Sequence, residues 1–423
     1  MYGRSRAGYD RAVRNLAFTP ARSRWVIASL GGLVTLAYLA TLPSPLRVDT
    51  DSAYMLELGG SFADGHGLDI VGVPSFPPGY PFLVGVLEKL GIATPAVLIL
   101  VGLTCLAIGV ACWWIVCLTD LALTRVETGA VLVVTALSVY AVKYTAMPLT
   151  EIPFLALTAG SLALLALARQ RASIALLVAG VLVAGLACTV RSAGITLALA
   201  VVLAPASRRL RVVVGAVAAA GALVVAVTAP YALGIERWLH HPGSTASSEL
   251  RLFVRALGAA AANVPISEMH KANVVIVVVG LLTIALVAWA VWSRRGDLRP
   301  VDGFVVATLA MVLVYPTEHP RFYLPAIPAL AAYVVLATRR VRWLGVLAAG
   351  AFGMVGCAAL AFSVHLSYAG RGFPTDYADG VLAPTYRTAW GVAQPGDADR
   401  LKLHELAALR RYDPTPPWTR STR

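Results

Sequence analysis

Long apolar runs, separated by short breaks that carry arginine or proline, recur along almost the whole chain. That repetition restricts the fold more than any other feature, because a helix that crosses a bilayer needs about 20 apolar residues. Of 423 residues, 58% are hydrophobic and 13% charged, against about 25% charged in an ordinary soluble domain. The mean hydropathy is +0.74. A water-soluble fold has no means of hiding this much apolar surface, so a disordered chain, a nucleic-acid module and an ordinary soluble enzyme are excluded. A transmembrane β-barrel would alternate in segments of about ten residues, and no such pattern occurs. The expected class is an all-α polytopic membrane protein.

We read about eleven spanning helices, at 25–42, 95–118, 128–146, 150–168, 172–189, 193–206, 212–234, 273–292, 301–315, 322–338 and 343–364. Segment 77–91 is apolar but short and carries Glu88 and Lys89, so it reads as a juxtamembrane helix in the first outer loop. The basic residues from Arg4 to Arg24 lead into the first run without a small-residue cleavage pattern, which predicts a signal anchor retained as helix one. With a cytoplasmic N-terminus, the inner segments hold 18 basic residues and the outer loops before the tail hold nine, the sign expected for a multi-pass plasma-membrane protein. Of 35 basic residues only four are Lys, and the arginines cluster between apolar runs. The net charge of +13 therefore reads as topology rather than as a nucleic-acid face. Cys105, Cys112, Cys117, Cys188 and Cys357 all lie inside apolar runs and read as small buried hydrophobes.

The chain thus divides into a basic cytoplasmic segment 1–24, a transmembrane module 25–364 with outer loops at 43–94 and 235–272, and an extracytoplasmic tail 365–423 with a short helix near 399–411. Of 22 acidic residues, 17 fall outside in this arrangement. Acids do not set topology, so their excess there points to chemistry on that face.

Four constellations carry that chemistry. Asp49 and Asp51 sit just beyond helix one; Asp51 or Ser52 as a helix cap with Asp49 solvated is one reading, a general base or metal ligand at the lipid–water boundary the other. Glu151 follows Thr150 at the outer start of a helix, where the helix dipole alone would favour a carboxylate, yet ionisable groups at membrane depth are costly and tend to face a polar cavity. Arg191 lies at a tight outer turn, either snorkelling or facing a ligand. Glu318, His319 and Arg321 cluster at another helix mouth; one His beside one Glu is a weak metal signal. No phosphate-binding loop, dinucleotide fingerprint or His-Glu-x-x-His is present, and no metal site is assigned.

Acids and cations on one membrane face suit transfer of a sugar from a lipid phosphate. The phosphate leaving group needs neutralisation, which Arg191, Arg321, His319 and Lys143 would supply. The acceptor hydroxyl needs a carboxylate to take its proton, from Asp51, Asp49 or Glu151.

On these residues the sequence resembles the GT-C glycosyltransferase superfamily, most of all the dolichyl-phosphate-mannose-protein mannosyltransferase-like branch that includes the lipid A aminoarabinose transferases. The resemblance covers most of the first ten predicted helices. It rests on Asp51-Ser52-Ala53-Tyr54, then Gly65-His66-Gly67 and Pro77-Pro78-Gly79-Tyr80-Pro81, with support from Thr150-Glu151, Arg191 and His319-Pro320-Arg321-Phe322-Tyr323-Leu324-Pro325. It implies a GT-C-type bundle, a polyprenyl- or dolichyl-phosphate sugar donor of mannose or arabinose type, an extracytoplasmic active site, and a glycan, glycolipid or protein acceptor. By that likeness Asp51 matches the catalytic acid and Arg321 the donor-phosphate contact, with Tyr54, His66, Tyr80, Glu318 and Tyr323 as further site residues. Relatives often carry Asp-Glu or Asp-Asp where this chain has Asp51-Ser52, which leaves Asp49 as a stand-in. No cofactor is assigned, and a divalent cation is allowed. The expected activity is that of an inverting glycosyltransferase; a transporter or flippase of a lipid-linked sugar, and an inactive scaffold of the same fold, are the alternatives.

Overall fold

A computed structural model describes residues 20–68, 70, 76–205, 246–265, 268–269, 271–314, 319–377, 382–416 and 419. Among them all regular structure is helical. The helices are α1 (Pro20–Leu39), α2 (Thr50–Ala63), α3 (Gly79–Lys89), α4 (Pro95–Thr119), α5 (Arg125–Ala136), α6 (Val139–Thr145), α7 (Glu151–Arg171), α8 (Ile174–Val190), α9 (Leu197–Leu203), α10 (Ala246–Ala262), α11 (Asn273–Ser293), α12 (Pro300–Val314), α13 (Ile327–Thr338), α14 (Arg342–Tyr368), α15 (Phe373–Asp376), α16 (Ala383–Ala389) and α17 (Leu403–Tyr412). Two 3₁₀ turns, Ser192–Thr196 and Pro320–Ala326, lead directly into α9 and α13. Among the described residues, five helical segments are long and apolar enough to cross a membrane, and six if the bent pair α5–α6 counts as one. The predicted span 212–234, much of the 235–272 loop, Glu318 and the arginines before Pro20 lie outside the described residues.

α7 is the central helix. Its most apolar stretch is 78% buried, against 11% for α14 at the periphery. α4, α8 and α6 pack around it. Trp25, Leu33, Leu36, Val274, Leu282, Trp292, Val346 and Leu347 are exposed, an apolar exterior that a bilayer would cover. α7 carries Glu151 at one end and Arg169 at the other. At about 1.5 Å per residue, that separates two polar clusters by roughly 27 Å. At the Arg169 end, Arg169 pairs with Asp297, Arg299 lies 2.5 Å from Asp297, and Arg294 lies 3.0 Å from Asp302.

Besides the 3₁₀ starts of the expected spans 193–206 and 322–338, three elements depart from the sequence expectation. The stretch 128–146, expected as one span, breaks between α5 and α6 with a bend of 58°. Backbone polar groups freed at such a break must be satisfied internally, and Asn263 does this from another helix's end. Its Oδ1 accepts the Val139 N–H at 2.8 Å, and its Nδ2 donates to the carbonyls of Leu137 at 3.0 Å and Phe352 at 2.9 Å. The segment 235–272, expected as a loop, contains α10, whose Phe253, Val254, Ala256, Leu257, Ala259 and Ala260 are all buried. It packs backbone-close on α11: a Cβ at Gly258 would lie 1.8 Å from the Ile276 carbonyl oxygen. The tail holds α15 and α16 as well as the predicted short helix, which is α17.

In the first loop, α3 is 11 residues long, too short to span about 30 Å of hydrocarbon, and it packs against α2 as the juxtamembrane reading has it. The five cysteines are free; of the expected buried positions only Cys117 is buried, Cys105, Cys112 and Cys188 are half-buried, and Cys357 is exposed because α14 turns that face outward.

Candidate active site

Asp49 caps α2. Its Oδ1 accepts the Ser52 N–H at 2.9 Å, and Ser52 Oγ accepts the Asp49 N–H at 2.5 Å, a reciprocal capping box. This reverses the capping reading of the sequence: Asp49 is the cap and Asp51 projects from the first turn. Burial holds the Asp49 carboxyl above the usual carboxylate range, opposed by the Ser52 N–H and the Arg321 charge.

With its capping role given to Asp49, Asp51 meets Arg321. Arg321 Nη2 donates to Asp51 Oδ2 at 2.5 Å, while its Nε lies 3.4 Å from Glu151 Oε1. Glu151 Oε1 is also 2.6 Å from Arg191 Nη1, and Arg191 donates to Thr150 Oγ1 at 3.3 Å. Both guanidinium groups lie over the ring of Phe322, at 4.6 Å for Arg191 and 5.7 Å for Arg321. Four elements remote in sequence therefore converge: the first turn of α2, the first turn of α7, the α8–α9 connection and the proline-rich 3₁₀ turn. That turn is what sequence dictates: Pro320, Pro325 and Pro328 cannot donate to an α-helical ladder, so the chain winds tightly and presents Arg321 and Phe322 at the mouth of α13.

The two carboxylates differ in access. The Glu151 side chain is 2% exposed and contacts both arginines, whereas that of Asp51 is 35% exposed. Glu151 holds both arginines, and Asp51 is the more accessible of the two carboxylates. Tyr144 lies within electrostatic reach of Glu151, Arg321, Asp49 and Arg191, and Tyr80, buried in α3, within reach of Glu151.

Other expected residues sit elsewhere. Lys143 is exposed, with Nζ 5.4 Å from the Tyr144 ring centroid. His319 is exposed at the start of the 3₁₀ turn. His66 is exposed in the turn after α2, near Asp64. Tyr323 is buried against Phe253. Tyr54 stacks on His404 of the tail at 4.6 Å. Glu318 lies outside the described residues. Among those described, no group of three or more His, Cys, Asp or Glu is arranged to hold a metal.

The tail's role was not legible in the sequence. Tyr386 Oη accepts the Val48 N–H at 2.8 Å and donates to the Leu46 carbonyl at 2.9 Å. Asp413 Oδ2 accepts the Leu46 N–H at 2.8 Å, and Tyr377 donates to the Val48 carbonyl at 3.2 Å. The strand of chain that leads into Asp49 is therefore held on both sides by residues from the other end of the sequence. Between them sits Arg47, buried, bonded to Ser44, Ser363 and Ser367 and, among the described residues, to no carboxylate; burial pushes its guanidinium down to about 10. Farther along α2, Arg411 pairs with Asp64 and Glu88, and Tyr412 donates to the Leu56 carbonyl at 2.9 Å.

No family model, curated protein or solved structure matches the chain, so what the site can do follows from its own geometry.

Proposed function

We propose that the chain is an inverting glycosyltransferase of the plasma membrane, with a GT-C-like bundle, that moves a sugar of mannose or arabinose type from a polyprenyl phosphate to a glycan, glycolipid or protein acceptor. The N-terminus is cytoplasmic, and the Asp51 end of the bundle and the tail face outward. The observation that carries this reading is the placement of Arg321 between Asp51 and Glu151 at the mouth of an apolar bundle.

In this reading the donor phosphate binds Arg191 and Arg321, which suit it through bidentate donors. Arg321 then exchanges its contact with Asp51 for one with phosphate, while buried Glu151 keeps both guanidinium groups aimed. Asp51, released from its ion pair, takes the proton of the acceptor hydroxyl. The acceptor oxygen bonds to the anomeric carbon as the bond from that carbon to the phosphate oxygen breaks. The configuration inverts, and polyprenyl phosphate leaves with its charge held by the arginines.

Purified protein in lipid nanodiscs, incubated with polyprenyl-phosphate mannose or arabinose and cell-envelope glycans, should yield a new glycosidic bond detectable by mass spectrometry. The bent pair α5–α6 favours a second reading, since broken helices mark transporters. Movement of labelled lipid-linked sugar across a vesicle membrane with no new bond would establish it instead. Against it, the ionised side chains lie at helix ends, and Asn263 bonds the backbone at the break.

A further inference from the structure

The other side of the α2 N-terminus carries a second polar cluster. Thr50 Oγ1 donates to Glu405 Oε1 at 3.2 Å, and Lys402 Nζ lies 3.2 Å from both. The Glu405 side chain is 0% exposed, yet its Oε2 has no hydrogen-bond partner among the described residues, nor has the buried Nε2 of His404. Buried acceptors of this kind are rarely left unpaired. The His404 ring stacks on Tyr54 with an interplanar angle of 13°, and Phe76 stands 6.0 Å from Tyr54. Glu57, half-buried, follows Thr50 and Tyr54 along α2 at the spacing of one helix face.

The chemistry of this cluster selects its ligand. Carboxylates at Glu405 and Glu57, with Asp49 close by, repel an anion. The Lys402 ammonium repels a cation, and no group of three or more His, Cys, Asp or Glu among the described residues is arranged to hold a metal; burial and Lys402 lower the proton affinity of the His404 ring. Burial raises both glutamates above the usual carboxylate range, so each gains from a neutral donor. Polyhydroxyl compounds meet every condition: hydroxyls donate to Glu405 Oε2, accept from or donate to His404 Nε2, and their C–H faces lie against aromatic rings.

We propose that the C-terminal tail builds the acceptor side of the site, where Thr50, Tyr54, Lys402, His404 and Glu405 bind the hydroxyl groups of a glycan. This rests on the glycosyl-transfer reading and names its acceptor as carbohydrate. Thr50 and Asp51 are consecutive in the first turn of α2, their Cα atoms about 3.8 Å apart, so a glycan held at Thr50 reaches the base around that turn.

The test is saturation-transfer NMR on the full chain in nanodiscs, with methyl α-mannopyranoside and methyl arabinofuranoside as probes. Wild type and Asp51→Asn should both transfer saturation to at least one probe. Glu405→Gln, which keeps the side chain's shape, should lower the signal at least fivefold. His404→Phe keeps the stack on Tyr54 but removes Nε2, and should do the same; it decides the matter if Glu405→Gln does not fold. Unchanged signal in a folded variant, or no signal from either probe in wild type, overturns the proposal. Probe binding without transfer from any lipid-phosphate sugar overturns the enzymatic reading alone, and transfer to glycans that survives both tail substitutions overturns the tail's role alone.

Discussion

Asp51→Asn separates the proposed chemistry from the architecture. Asn keeps the shape of the side chain and removes its charge and its ability to take a proton. A positioned general base contributes about 10²- to 10⁴-fold, so transfer should fall by that factor, or about 2.7–5.4 kcal/mol of barrier at 1.36 kcal/mol per decade. The structural cost is far smaller. The Asp51 side chain is 35% exposed, so its pair with Arg321 is screened and contributes only about 1 kcal/mol. Arg321 also keeps Glu151, 3.4 Å away. The assay is turnover of polyprenyl-phosphate sugar by the nanodisc-embedded variant, with donor affinity and thermal stability measured in parallel. Donor affinity should hold or rise, because phosphate no longer competes with Asp51 for Arg321. Transfer at the wild-type rate in Asp51→Asn would remove Asp51 from the reaction, and loss of folding would show that the pair is structural.

Glu151→Gln should behave in the opposite way, since removing one partner of a buried pair leaves uncompensated charge and costs about 3–5 kcal/mol; a thermal-shift profile equal to wild type would refute the anchoring role. Tyr386→Phe leaves the buried Val48 N–H without its acceptor and should cost about 1–3 kcal/mol, with a fall in turnover that exceeds any change in donor affinity; unaltered turnover would show that the bracket does not position Asp51. Gly258→Ala places a methyl against the Ile276 carbonyl and should destabilise by about 1–3 kcal/mol, read from detergent-solubilised thermal inactivation; a neutral result would mean α10 does not cross α11 where described. The Arg411 guanidinium beside Asp64 holds its carboxyl below the usual range. Asp64 therefore binds its proton less tightly folded than unfolded, so its support for tail docking is complete above about pH 3.9 and is lost as pH falls through the lower folded value. Hydrogen exchange of α17, corrected for intrinsic rates, should accelerate relative to α7 on acidification from pH 6 to 3, and equal behaviour of the two helices would refute the clamp.

What the sequence made legible follows from the cost of charge near lipid. Asp51, Glu151, Arg191 and Arg321 stand out as ionisable groups at the ends of apolar runs, and such groups persist where they can meet one another. Their convergence is an arrangement that side of membrane and helix order foreshadow. Periodicity and length gave the helices around α7 for the same reason. The break at Leu137 was hidden because its cause, Asn263, lies more than a hundred residues away and on the far side of a gap in hydrophobicity. α10 was hidden because Glu249, Arg251 and Arg255 interrupt its apolar pattern, while its buried face mixes Phe253, Val254 and Leu257 with alanines over a stretch too short to read as a span. The tail's grip on Leu46–Val48 rests on single side-chain groups at Tyr377, Tyr386 and Asp413, which carry no periodic signal. The capping assignment was reversed because Asp49 and Asp51 are chemically equivalent candidates, and only the backbone at Asp49, extended at φ −121°, distinguishes them.

The bracket around Leu46–Val48 also sets a timetable. Asp413 and the backbone it holds are separated by 367 positions, which a ribosome working at about 5–20 residues per second crosses in roughly 18–73 seconds. During that interval the segment before Asp51 has its lipid-facing neighbours but not its final fastening. A nascent chain that has already inserted its first helices is therefore expected to lack the proposed activity, which should arrive only when α16 and α17 fold back onto the loop before α2.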